Sequence, residues 1–317
     1  MKVYNNRDIL PAFNKAVVTI GTFDGVHLGH QQIITQLKKE ARRVNGETVL
    51  ITFDPHPRKI VSTQPLQLIN TLPEKIELLE QQGIDNLVVV PFTAAFSNQS
   101  ATAYIEDFLV SRFHPHTVII GYDHRFGKDR SGDFHLLEKY ARQHAFDLIE
   151  IPVHVIDQAT ISSTKIREAL LNGQIEEAGR FLGYDYFFEG LVVEGNKLGR
   201  TIGYPTANLQ LQTEDKLVPG NGVYAVQVQI VNQNNSPQSP GPSDPKPYKG
   251  MMNIGTRPTV DGTKRVIEVN IFDFDENLYG ATLRVYLKKY LRGEQKFSGL
   301  DALKEQLAKD RHNALGG

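Results

Sequence analysis

Two histidines, His27 and His30, stand three residues apart in the stretch VVTIGTFDGVHLGHQQIITQLKKEARR, residues 17–43, with Gly29 between them. Paired imidazoles at one point can stabilise the negative charge that builds on a phosphoryl group under attack, with no covalent intermediate. Gly29 has no side chain, so a phosphate can come close to the backbone there. The preceding residues read as a β-strand ending at Ile20. The following ones place Ile33, Ile34, Leu37 and Ala41 near one face of a helix that starts near His30. A strand, a turn from Gly21 through Phe23 and Asp24, and then a helix N-terminus offer backbone amides to an anion. Two surface histidines in a tight loop are the plainer reading of H-x-G-H alone, and its place between strand and helix favours nucleotide binding.

Three further stretches carry similar potential. In ISSTKIREAL, residues 161–170, Ser162, Ser163 and Thr164 read as N-cap and first-turn donors, with Lys165 and Arg167 beside them. On its own this is a capped amphipathic helix; paired with the histidine turn it supplies cations for a leaving pyrophosphate. In GNKLGRTIGYPTANLQL, residues 195–211, flexible glycines including Gly199 and Gly203 accompany Lys197, Arg200, Thr206 and Asn208. Thr206 and Asn208 project from one face of an extended segment. Their neutral oxygens, together with nucleotide phosphates, suit a magnesium ion that keeps some of its waters. The plainer reading is a glycine-rich loop leading into a strand. No G-x-x-x-x-G-K-[ST] motif is present, so a P-loop is ruled out. In RVIEVNIFDF, alternation puts Glu268 and Asn270 on one face, with Ile267 and Val269 on the other. A strand carboxylate is ordinarily a solvated outer-face residue; at the mouth of a barrel it becomes a candidate base for a hydroxyl.

The elements that must hold these residues fall into two textures. Up to about residue 183, strand-like runs (AVVTIG, ETVLITF, NLVVVPF, TVIIGYD, FDLIEIPV) alternate with helical patterns. That alternation predicts an α/β domain, Rossmann-like, with a parallel sheet and helices on both faces. Its ligands would lie beyond the carboxyl ends of the strands, at the loops 21–30, 53–58 and 121–133. From 184 to 317, short β-rich pieces between glycine and proline turns predict a small antiparallel barrel. The pattern SGLDALKEQLAKDRH closes it as a helix with Ser298 as N-cap. Residues 232–247, rich in proline, asparagine and serine, read as an insertion in a hairpin.

With 35 basic and 36 acidic residues among 317, the formal charge is −1 and gives no general drive toward nucleic acid or an anionic membrane. Cysteine is absent, which excludes disulfides and thiolate metal sites and fits a reducing cytoplasm. No apolar run reaches the roughly 18 residues that a spanning helix needs.

GTFDGVHLGH together with ISSTKIR resembles the nucleotidylyltransferase superfamily, and specifically the adenylyltransferase half of bacterial bifunctional riboflavin kinase/FAD synthetases. TFDPHP at 52–57 and GYDHRFGKDRSGD at 121–133 agree with that family's loops. The second half resembles riboflavin kinase through GYPTANL, NGVYAV, NIGTRPT, FDFDENLYG and YLRGEQKFSGLDALKEQLAKD. The resemblance implies that riboflavin is phosphorylated to FMN, and FMN adenylated to FAD, with ATP and Mg2+. It makes His27, His30 and Arg167 the catalytic groups of adenylyl transfer. Gly21, Phe23, Asp24, Gly29, Asp123, Ser162, Ser163 and Thr164 would lie around that ATP, with Phe53, His56 and Arg125 toward the flavin. In the kinase half it makes Glu268 the base, Thr206 and Asn208 the metal ligands, and Gly199, Arg200, Gly203, Thr206 and Asn208 the ATP site. Arg292 would belong to the segment covering the flavin.

Two positions depart from the family pattern: Asp123 replaces a frequent asparagine, and Asn270 a frequent histidine. Read from its residues alone, TFDPHP is also consistent with a rigid proline turn. Other readings stay open at this level: adenylyl transfer to another acceptor, such as a pantetheine or nicotinamide nucleotide; a relative of class I aminoacyl-tRNA synthetases; or a barrel acting as an OB-like nucleic-acid module, with Tyr186, Phe187 and Phe188 as stacking residues.

Overall fold

A computed structural model describes residues 1–5, 9–152, 161–195, 198–232, 247–259 and 262–316. Lys197 and nearly all of the expected 232–247 insertion lie outside them. The chain forms two compact units, Met1–Ser163 and Thr164–Gly317.

In the first unit six strands, β1 (Lys2–Tyr4), β2 (Val17–Ile20), β3 (Thr48–Asp54), β4 (Asn86–Pro91), β5 (Thr117–Gly121) and β6 (Asp147–Ile151), form one sheet in the order β1-β4-β3-β2-β5-β6. All neighbouring pairs are parallel, as the alternation predicts. Strands β2, β3 and β4 are nearly continuous apolar runs because both faces of the sheet are covered. On one face lies α1 (Leu28–Val44), whose Ile33, Leu37, Ala41 and Val44 pack with Val17 and Ile119. Helix α2 (Leu72–Gln81) opens on a reciprocal capping box between Thr71 and Glu74. Helix α3 (Phe134–His144) is capped by Asp133, whose carboxylate accepts the Leu136 N–H at 3.0 Å. The chain runs outward from β2 through β3 to β4 and then returns to β5 on the other side of β2. The strand order therefore reverses between β2 and β5, where such sheets open a crevice beyond their carboxyl ends.

The second unit begins at the second residue of α4 (Ser163–Leu171) and continues with α5 (Ile175–Leu182), which ends on Gly183 at φ +78°. Strands β7 (Phe187–Val193), β8 (Ala207–Leu211), β9 (Gly222–Asn232), β10 (Tyr248–Thr259), β11 (Gly262–Ile271) and β12 (Thr282–Arg292) close a barrel in the order β10-β11-β8-β7-β12-β9. Every neighbouring pair is antiparallel. The closing helix α6 spans Leu300–Leu315.

The compact units part at 163/164, with the α4–α5 pair tied to the barrel: Gly220 N–H donates to the Leu170 carbonyl at 3.0 Å, and Gly173 lies under the Tyr290 ring. Two helix starts differ from the sequence reading. Helix α6 is capped by Gly299 in extended conformation, so Ser298 falls one residue outside the cap. Helix α1 begins at Leu28, because His27 itself is the N-cap. Among the described residues, no helix is long and apolar enough to cross a membrane.

Candidate functional sites

The histidine turn lies at the carboxyl end of β2, beside the point where the strand order reverses. Gly21 N–H donates to the Ile51 carbonyl at 3.0 Å, and a Cβ at Gly21 would stand 3.0 Å from the Phe23 ring. Phe23, Gly25 and Val26 then take positive φ values of 47°, 91° and 38°. For the β-branched Val26 this is a strained conformation. Its carbonyl is fastened by the Gln31 side-chain amide at 2.9 Å. The buried Asp24 pins the turn from behind, accepting Ile69 N–H at 3.0 Å and Asn70 N–H at 3.2 Å. Ser163 Oγ donates to the Asp24 carbonyl at 2.9 Å, so the serine element and the histidine turn do meet.

His27 accepts the His30 N–H on Nδ1 at 3.4 Å, and the two rings stack at 3.6 Å and 17°. Phe23 flanks His30 at 5.0 Å. Nδ1 of His30 is buried and has no hydrogen-bond partner. Burial, and then the charges of His27 and Lys75, hold the His30 imidazole well below the usual histidine range. It is therefore a neutral ring at neutral pH, able to donate one hydrogen bond to a phosphate oxygen. Lys75 is buried beneath the turn, its ammonium donating to the Thr22 carbonyl at 2.8 Å and lying 3.4 Å from Thr52 Oγ1. Burial lowers its pKa, against the opposing pull of Asp24 and Asp54.

The other candidate residues of this half are distributed unevenly. Phe53 packs against Phe92 and Phe96, at 5.4 and 5.8 Å, inside the sheet core. His56 accepts the Arg58 N–H on Nδ1 at 3.1 Å and so starts the short helix Arg58–Val61. Asp123 is exposed, and Arg125 pairs with Asp133 at 3.0 Å, clasping the loop after β5 to the start of α3. Within that loop burial, then Arg130, lowers His124 to about 4, and Phe126 stacks on Tyr104 at 4.9 Å. Gly29 is buried in the first turn of α1. Ser162 is half-buried. Thr164 and Arg167 stand on α4, exposed and half-buried respectively, and count with the second unit.

In the barrel, Glu268 on β11 is the direct cross-strand partner of Asn208 on β8. Directly opposed residues share a face, with Cβ atoms about 5 Å apart. Glu268, Thr206, Asn270, Arg257 and Arg292 all line one cavity of about 270 Å³. Asn270 donates its amide to the Pro205 carbonyl at 2.6 Å and so fixes the turn that presents Thr206. At the position of the departure, Asn270 thus has an anchoring role of its own. Gly199 also lines the cavity and packs against the Tyr204 carbonyl; Gly203 takes φ +84°. Arg200 and Thr206 face an adjoining smaller cleft of about 80 Å³. The Arg292 guanidinium grips the buried Asp310 of α6 at 2.7–3.0 Å. Arg292 thereby fixes the start of segment 293–298, from which Phe297 reaches the cavity.

Comparison with known proteins extends these observations. Residues 10–165 match the family model for FAD synthetase, and residues 182–316 the model for riboflavin kinase. The bifunctional riboflavin kinase/FMN adenylyltransferase of Escherichia coli (strain K12) is 38% identical over 300 residues, spanning 94% of this chain and 91% of the relative. That of Bacillus subtilis (strain 168) is 36% identical over 306 residues, spanning 95% and 92%. The chain belongs to the bifunctional riboflavin kinase/FMN adenylyltransferase family. A solved structure described as a macrolide-efflux protein from Streptococcus pneumoniae shares its fold, with TM-score 0.86 and 31% identity over 99% of this chain and 98% of that one.

Family membership accounts for both sets of motifs, and the structure adds residues that they did not single out. Lys75 reads as one more charge on an amphipathic helix; the available signal is that it falls on the face of the buried Leu78 and Leu79. Arg257 lies in NIGTRPT, yet its contact with Glu268 depends on strand pairing. Gly195 is legible only in three dimensions: a Cβ there would overlap the Asn208 side-chain amide. With the expected role of Asn208 in the kinase site, Gly195→Ala, which would displace it, is expected to slow FMN formation by about 10-fold or more, since small misplacements of such a group cost that much. FAD formation from supplied FMN should be unchanged, and parallel assays of the two steps check this.

Proposed function

We propose that the two halves, 1–183 and 184–317, carry out successive ATP-dependent steps on one flavin, with the residues named above in the following roles. In the kinase half Glu268 takes the proton of the terminal ribityl hydroxyl, and the freed oxygen attacks the γ-phosphorus as ADP leaves. Gly199, Arg200 and Gly203 wrap the ATP phosphates. Thr206 and Asn208 would hold Mg2+. No group of three or more His, Cys, Asp or Glu residues suited to a metal occurs among the described residues, which suits an ion that arrives with the nucleotide. When bound, it neutralises charge on the transferred phosphoryl group. Arg292 sets the segment that covers the flavin.

In the adenylyltransferase half an FMN phosphate oxygen attacks the α-phosphorus in line and pyrophosphate departs. No protein nucleophile is needed, so the work is positioning and charge stabilisation. His27 and His30 act on the α-phosphate, while Gly21, Phe23, Asp24 and Gly29 shape its turn. Ser162, Ser163, Thr164 and Arg167 close on the phosphates, Asp123 lies toward the nucleotide, and Phe53, His56 and Arg125 toward the flavin. The roles of Thr164 and Arg167 rest on the motif. The lack of cysteine supports a cytoplasmic setting.

The observation that carries the reading is that each unit has a phosphate-handling set of its own: stacked imidazoles with an unpartnered buried nitrogen in one, and in the other Glu268 and Thr206 on one cavity wall, with Asn208 in register opposite Glu268. Incubating the chain with riboflavin, ATP and Mg2+ and separating the products should give FMN and then FAD. Chelation of the metal should stop FMN formation. Accumulation of FMN with no FAD at any time would point instead to a different adenylyl acceptor.

A further inference from the structure

We propose that Arg257 is a positioning residue of the kinase step, acting through Glu268; this rests on the reading of Glu268 as base. Strands β10 and β11 pair so that Asn253 is opposite Glu268. Alternation puts Asn253, Gly255 and Arg257 on the same face of β10. Gly255 has no side chain, and the Glu294 carboxylate lies where its Cβ would be, so the wall between Asn253 and Arg257 carries that carboxylate and no side chain of its own. Arg257 reaches Glu268 with one nitrogen on one oxygen, NH2 to Oε2 at 2.7 Å.

The contact is asymmetric in a way that suits a base. The Glu268 side chain is 16% exposed and that of Arg257 43%, so the carboxylate is sheltered in the cavity while its cation stands nearer the solvent. Only Oε2 is engaged among the described residues, which leaves Oε1 for a substrate hydroxyl. A general base needs one acceptor atom held within hydrogen-bond reach of the proton it removes. A glutamate side chain has several rotamers, and fixing one oxygen reduces that freedom before substrate arrives. Arginine never gives up its own proton, so it anchors the carboxylate without competing in the transfer. This is the relation of a base to the third group that orients it. An ion pair whose cation is nearly half exposed contributes little to stability, so the value of this one lies in geometry.

The test uses the full chain, with FMN formation from riboflavin as readout and FAD formation from supplied FMN as the control for folding. Arg257→Ala should lower kcat of FMN formation about 10- to 100-fold, a part of the roughly 10²–10⁴ that a positioned base contributes. KM for riboflavin should stay within about threefold, because Arg257 acts on the base and not on uniform substrate binding. Arg257→Lys should recover most of the rate. Arg257→Ala combined with Glu268→Gln should be no slower than Glu268→Gln alone, since two residues acting as one unit are not additive. An unchanged or increased kcat, a rise in KM alone, or additive losses in the double variant would each overturn the inference. If Glu268→Gln keeps the parental rate, it is the reading of Glu268 as base that fails; loss in Arg257→Ala beside an active Glu268→Gln would put Arg257 on the substrate and also end this proposal.

Discussion

His30→Ala abolishes FAD formation, with an expected fall of about 10³-fold, the scale at which removing one preorganised charge-stabilising donor acts. FMN formation by the same chain should stay within about twofold, because His30 stands on α1 of the parallel-sheet unit and Glu268 in the barrel unit. The magnitude follows from the surroundings of the ring. His30 is stacked on His27 with Phe23 tilted against it, its Nδ1 is buried without a partner, and it stands in the first turn of the helix that follows the carboxyl end of the central strand β2. Such a donor needs no reorganisation when charge develops on a phosphorus beside it. Loss of both activities in a folded His30→Ala chain would argue against separate sites.

The same ring fixes a direction of pH dependence. Its pKa in the folded state lies well below the 6.5 of a free histidine, with burial as the main cause. As pH falls through 6.5 the unfolded chain takes up a proton that the folded chain refuses, so stability is lost with acid until the lower folded value is passed. Denaturant titrations of wild type and His30→Asn at descending pH should give a flatter acid slope for the variant.

How much of this was legible beforehand depended on sequence distance. The histidine turn could be read because everything that makes it is local: a β-branched run, glycines, and a 3.6-residue apolar period. The parallel sheet followed from the same alternation. By contrast, Ser163 reaches Asp24 across 139 residues and Arg292 reaches Asp310 across 18, and no periodicity announces either contact. The position of α4 and α5 against the barrel was equally hidden, since an amphipathic pattern tells that a face is buried and not what buries it. Sequence puts the start of α1 too late because histidine is an unusual N-cap, and only its Nδ1 contact identifies it as one. At Phe53 sequence leaves two uses side by side: TFDPHP looks like a site motif, and an aromatic at the end of a central strand also packs into the core.

Glu268→Gln is the sharpest counterpart in the barrel. The change keeps shape and volume, so the cavity and the β8–β11 pairing should persist, but an amide cannot take a proton from a hydroxyl. FMN formation is expected to drop by about 10³-fold, within the 10²–10⁴ range for general-base catalysis, with KM for riboflavin little changed because a group used only in the transition state was removed. FAD formation from supplied FMN should persist, so the variant would convert FMN but stall on riboflavin. The result depends on Asn208 staying in register with position 268, which the β8–β11 pairing sets, and on the Asn270 side-chain amide holding the Pro205 carbonyl; neither contact involves the carboxylate. A kinase rate in Glu268→Gln within tenfold of wild type would mean that deprotonation of the ribityl hydroxyl contributes little to the barrier. Phosphoryl transfer through a loose, dissociative transition state would then rest on nucleotide positioning by Thr206 and Asn208 alone.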